Sequence, residues 1–178
     1  DRAEGRATHL RERHGAKVSF VNTDVTDEQS VIDALSYAAT LGPLRIIVNC
    51  AGAGVVQRTL GRDGNVHDIG LFREQVELNL VGTFIVLAHG AREIAKNEPL
   101  TDGERGVIVN VSSLAGLEGS TGQVAYGAAK AGVAGLTLPA ARALPPVGIR
   151  VAALAPGRTA REGFVGSDAR PTPRRHRS

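Results

Sequence analysis

Tyr126 and Lys130 stand four residues apart in the run AYGAAKAG, residues 125–132, of a chain with only two tyrosines and three lysines. Four residues is a little more than one α-helical turn, so on a helix the two side chains share a face. An ammonium beside a phenol favours the phenolate. That is how a protein makes an acid–base group from a side chain whose reference pKa is about 10. The spacing alone also describes, and more often, an exposed tyrosine beside a solvated lysine. The rest of the chain decides between the two.

The elements that would position this pair alternate between strand and helix. The run 16–25 reads as a strand ending at Asp24, and 26–42 as a helix with a capping-box-like Thr26-x-x-Gln29 and an apolar stripe at 31, 32, 35, 38 and 39. Residues 44–52 read as a buried strand stopping in glycine, and 72–96 as a long apolar helix. A strand over 105–113, a helix over 122–144 and a last strand over 148–157 follow. Continuous apolar strands alternating with helices predict an α/β fold, a doubly wound parallel sheet covered on both faces. Ligands of such sheets bind beyond the carboxyl ends of the strands. Those ends carry Asp24, Asn49 to Gly52, Ser112-Ser113 and Pro156-Gly157.

Composition narrows the classes. At 178 residues with 42% apolar and 22% charged residues, this is one globular domain. Aromatic residues are 3% and tryptophan is absent, against a stacking platform for single-stranded nucleic acid. The single Cys50 excludes an internal disulfide or a cysteine metal site and suggests a reducing, cytoplasmic setting; no metal is expected. No apolar run reaches membrane-span length. The net charge of +3 is uneven: 158–178 holds six arginines against Glu162 and Asp168, leaving residues 1–157 at −1. We read 1–157 as the folded unit and 158–178 as a basic, disordered tail; a nucleic-acid arm is the lesser alternative for that tail.

Four landmarks in order, NCAG at 49–52, NLVGTF at 79–84, VSS at 111–113 and YGAAK at 126–130, make the chain resemble the short-chain dehydrogenase/reductase family. Ser113 lies thirteen residues before Tyr126, the usual family separation, and Pro156-Gly157 follows the next strand. The resemblance implies a Rossmann-like fold and hydride transfer between a nicotinamide cofactor and a secondary alcohol or ketone. It gives Tyr126 the proton exchange with the substrate oxygen, and Lys130 the tuning of Tyr126 and the hold on the nicotinamide ribose. Ser113 binds the substrate oxygen, and Asn79 anchors a water that relays protons; Ser112 is read as structural. It assigns cofactor contacts to Asp24, Val25, Asn49, Ala51, Gly52, Pro156 and Gly157, besides Tyr126 and Lys130. Asp1 falls where an acid binds the adenosine ribose 2′-hydroxyl, favouring NAD over NADP. Cys50 replaces the more usual asparagine and is read as packing.

The segments 55–72, 96–110 and 117–132 resemble the type II 3-hydroxyacyl-CoA dehydrogenase branch, which includes 17β-hydroxysteroid dehydrogenase type 10. That implies oxidation of a 3-hydroxyacyl-CoA thioester to the 3-oxo thioester with NAD, Gln123 near the substrate oxygen, and a homotetrameric parent enzyme. A solvated loop glutamine is the equal alternative for Gln123. The family's first strand and glycine-rich pyrophosphate loop have no counterpart here, and the arginine-rich tail stands where a substrate lid is usual. The chain therefore reads as an incomplete sheet, a fragment expected to bind dinucleotide poorly. The rival reading is a non-catalytic scaffold or inactive gene fragment.

Overall fold

The computed structural model describes residues 2–14 and 18–157. Helix α1 spans Arg2–His14 and α2 spans Glu28–Thr40. Strand β1 (Ile46–Asn49) follows, then α3 (Ile69–Val76) and α4 (Gly82–Ala95). Strand β2 (Gly106–Val111), helix α5 (Val124–Ala143) and strand β3 (Ile149–Leu154) complete the order. The strands form a parallel sheet in the order β1-β2-β3.

Register explains the core. Ile47, Ile108 and Val151 share one row across the sheet, and Asn49, Asn110 and Ala153 the row beyond it. This face meets α4 and α5: Ile47, Ile108 and Ile149 pack with Leu87, Ala91 and Ile94, with Leu136 and Ala140 at the margin. Helix α5 turns Ala125, Ala129, Val133 and Thr137 inward, a stripe at every fourth residue. The opposite face leaves Ile46, Val48 and Leu154 largely exposed, so among the described residues the sheet is covered fully on one side, not two.

Two expectations change in detail. Residues 18–24 form no strand, although their sequence is β-rich. A strand exists only through its ladder, and β1 pairs only with β2 among the described residues, leaving this segment no partner. The cap of α2 is Asp27, whose carboxylate accepts from the amides of Gln29 and Ser30, rather than Thr26.

The expected long helix is present from Ile69 to Ala95, but Glu77–Val81 is wound as a π-turn. Asn79 lies within it, fully buried, and its Nδ2 donates to the Gln75 carbonyl one turn back at 3.0 Å. A side chain that bonds into the ladder in this way disturbs the regular α repeat, and such turns recur at functional sites.

Candidate active site

Parallel strands end at a common edge, and here three chain segments meet beyond it. After β1 the chain passes through Ala51 to Gly52, whose φ of 154° lies in a region that disfavours other residues. A Cβ on Gly52 would lie 2.5 Å from Asn79 Oδ1 and 3.3 Å from Lys130 Nζ, so the bare backbone is what lets these two side chains approach. Two residues on, Gly54 packs against the Tyr126 ring.

Lys130 is 4% exposed, and its Nζ donates to the Val111 carbonyl at 2.8 Å. It lies 5.8 Å from the centroid of the Tyr126 ring, so the helix does place the two on one face. Burial holds the Lys130 ammonium below its ordinary pKa, with nearby Cys50 opposing that shift. Asn79 Nδ2 donates to the Ala53 and Gln75 carbonyls at 2.9 and 3.0 Å, which turns Oδ1 away from both. That Oδ1 is buried with no hydrogen-bond partner among the described residues.

Ser113 follows β2 in extended backbone and caps a short 3₁₀ turn, Leu114–Gly116, its Oγ accepting from the Ala115 amide at 3.2 Å. With Tyr126, Gln123, Pro156 and Gly157 it lines a cavity of about 690 Å³. Ser112, by contrast, is buried and donates to the Lys130 carbonyl at 2.7 Å, a structural tie.

A model of the short chain dehydrogenase family matches residues 1–169. The chain belongs to this family. Human 3-hydroxyacyl-CoA dehydrogenase type-2 is 44% identical over 145 residues, 80% of this chain and 56% of that protein. The enzyme of the same name from Drosophila melanogaster is 46% identical over 145 residues, 57% of its length. The crystal structure of 3-hydroxyacyl-CoA dehydrogenase type-2 from Mycobacterium avium superposes with a TM-score of 0.84 at 45% identity, covering 93% of this chain and 65% of that one. The chain thus spans little more than half the length of the curated relatives it matches.

Within the site the expected residues fall into distinct groups. Ser113, Gln123, Tyr126, Pro156 and Gly157 share the cavity, while Asn79, Gly52 and Lys130 cluster behind it. The Asn49 side chain points into the sheet, donating to Asn110 Oδ1 at 2.8 Å, and Asn110 Nδ2 donates onward to Thr137. Asp24 closes its own turn by accepting from the amide and hydroxyl of Thr26, which hold its carboxylate below the ordinary pKa. Val25 packs its methyl against Gly82, and Ala51 is exposed at the strand end. Asp1 lies outside the described residues, as does the tail 158–178.

Sequence reading missed Gln75, 5% exposed and one turn before Asn79, and the Asn49–Asn110–Thr137 chain beneath the sheet. Polar residues recurring at one strand row were the available signal. Among the described residues no group of three or more His, Cys, Asp or Glu is placed to hold a metal, and no helix is long and apolar enough to cross a membrane.

Proposed function

We propose that this chain carries the acid–base machinery of an NAD-dependent dehydrogenase that oxidises a 3-hydroxyacyl-CoA to the 3-oxoacyl-CoA. The observation that carries the reading is one cavity lined by Ser113, Gln123 and Tyr126 with a buried lysine beside the tyrosine. The substrate class comes from the names of the type-2 relatives. The residues present fit a nicotinamide dinucleotide: Gly52 keeps the backbone bare next to Lys130, and Asn79 offers an unpartnered buried oxygen there. Ala51, Gly52, Pro156, Gly157 and the Asn49 backbone at the strand ends would hold it, with Asp24 and Val25 on its adenine side.

When bound, the nicotinamide supplies the acceptor for the hydride from the substrate carbinol carbon. Ser113 Oγ holds the substrate oxygen and stabilises charge on it. Tyr126 takes the hydroxyl proton as the ketone forms. The ammonium of Lys130 favours the phenolate of that tyrosine. Asn79 Oδ1 accepts from a water that passes the proton from Lys130 to solvent, which gives the orphaned oxygen its partner. We further assign NAD over NADP through Asp1, a homotetrameric parent enzyme, and a cytoplasmic setting on the strength of the single cysteine.

The test follows NADH formation from 3-hydroxybutyryl-CoA, using the 178-residue chain beside one extended by the flanking codons of its gene. Turnover that Tyr126→Phe abolishes while dinucleotide binding persists supports the reading. A fully active Tyr126→Phe variant overturns it. Dinucleotide binding without turnover in either form favours the non-catalytic scaffold instead.

A further inference from the structure

A second cavity, about 630 Å³, adjoins the one that holds Ser113 and Tyr126. The two share Ala115, Gly119, Ser120, Thr121 and Gln123, so they are lobes of one cleft. The wall common to both is the loop before α5, where Gly119 and Gly122 take positive φ. Facing it runs the extended segment 56–58, tied to the loop by the Gln57 amide, which donates to the Gly122 carbonyl at 2.7 Å.

Alternation along that segment sorts its side chains. Gln57 is half-buried and lines neither lobe, its Oε1 accepting from the Asp68 amide at 3.0 Å. Val56 and Arg58 therefore share the other face, Val56 lining the lobe with Tyr126 and Arg58 lining the second lobe. The charges are split as well. Among the described residues Arg58 is the only charged one lining the second lobe, and Glu118 the only one lining the first. Among the described residues Arg58 forms no ion pair.

We propose that the Arg58 lobe receives the phosphate-bearing end of a coenzyme A thioester, while the acyl end lies in the Ser113–Tyr126 lobe; this rests on the thioester reading given above. Glu118 at the acyl end repels an anionic terminus and Arg58 attracts one, so the cleft has a direction as well as a shape. A guanidinium suits this task because it presents a planar fork of donors to phosphate oxygens. The loop between the lobes offers Ser120 and Thr121 to the amide groups of the carrier arm.

Equilibrium binding of coenzyme A and of pantetheine, which lacks the phosphates, to the 178-residue chain tests this by calorimetry, without turnover or dinucleotide. Coenzyme A is expected to bind about tenfold tighter than pantetheine, an advantage that falls with salt and disappears in Arg58→Glu. Arg58→Lys should keep part of it, which separates charge from a folding defect. Equal affinities for the two probes, no binding of coenzyme A, or an advantage that survives Arg58→Glu overturns the proposal. Because the readout is binding alone, coenzyme A binding through Arg58 with no thioester oxidation by either the 178-residue chain or its extended form refutes the catalytic reading and not this one.

Discussion

The Ser112 hydroxyl donates to the Lys130 carbonyl at 2.7 Å, and the Lys130 ammonium donates back to the adjoining Val111 carbonyl at 2.8 Å. The end of β2 and the second turn of α5 are thereby clamped together at the lysine. Ser112→Ala removes one side of the clamp without touching the cavity. It should cost about 1–2 kcal/mol in denaturant unfolding and lower kcat by about tenfold, since small misplacements of an acid–base group are expensive. Ser113→Ala should show the reverse balance, with stability nearly kept and kcat down by about a hundredfold or more. Equal effects of the two substitutions on kcat would remove the distinction drawn between these serines.

Gly116 holds the 3₁₀ turn after Ser113 directly against α5. A Cβ there would lie 2.5 Å from the Ala131 nitrogen and 2.7 Å from the Lys130 carbonyl carbon, both backbone atoms that cannot swing aside. Gly116→Ala should therefore push Ser113 away from Tyr126, losing about 1–3 kcal/mol of stability and most of the turnover. Gly135→Ala, where no atom of the described residues lies within 4 Å of the new Cβ, is the control and should stabilise α5. Thermal unfolding of both variants checks the pair.

Buried Lys130 has a lowered pKa because burial penalises its charged form. The unfolded chain holds that proton more tightly, so wild-type stability should rise relative to Lys130→Met as pH climbs from the depressed value towards about 10.4. Below that window the penalty is present in full and the difference is flat. Denaturant midpoints of the two proteins from pH 7 to pH 10 measure it; a gap that moves the other way, or not at all, means the ammonium is not desolvated.

Cofactor preference tests the assignment of Asp1. A carboxylate at the ribose 2′-hydroxyl repels a 2′-phosphate, so NAD should give the higher kcat/KM and Asp1→Ala should narrow the difference. Steady-state rates with NAD and NADP decide it, and equal use of both by the unaltered protein would show that Asp1 lies elsewhere.

Much of this was legible in the sequence because strand, helix and motif signals agreed. The strands within 44–52, 105–113 and 148–157 and the helix within 122–144 all form, and Ser113 and Tyr126 do meet in one cavity. What was not legible depends on partners distant in the chain. The 16–25 run looks like a strand by composition, but a ladder needs a neighbour that composition does not reveal. Asn49 stands at a strand end like a ligand residue, yet its amide pairs with Asn110, sixty-one positions away. Gln75 looks like an ordinary polar helix residue, yet it is buried, its carbonyl accepting from Asn79 of the π-turn. That turn leaves no trace in hydropathy, being a matter of one residue's hydrogen bonding.

The same turn lets one rod serve two sets of neighbours. Before it, α3 packs on α5; after it, α4 packs on α2 and the sheet. Each residue of an α-helix advances about 100° around the axis, so the wider turn resets the phase between the halves, like two keyed shafts coupled at a fixed offset. Excising Leu78 would restore an even thread and alter the overall hydrophobicity hardly at all. Both halves would keep their neighbours, because the wider turn takes up one extra residue over about the rotation of four α residues. Rewinding the turn at unchanged length is what would swing one half away, so this stretch is policed by angle and not by composition.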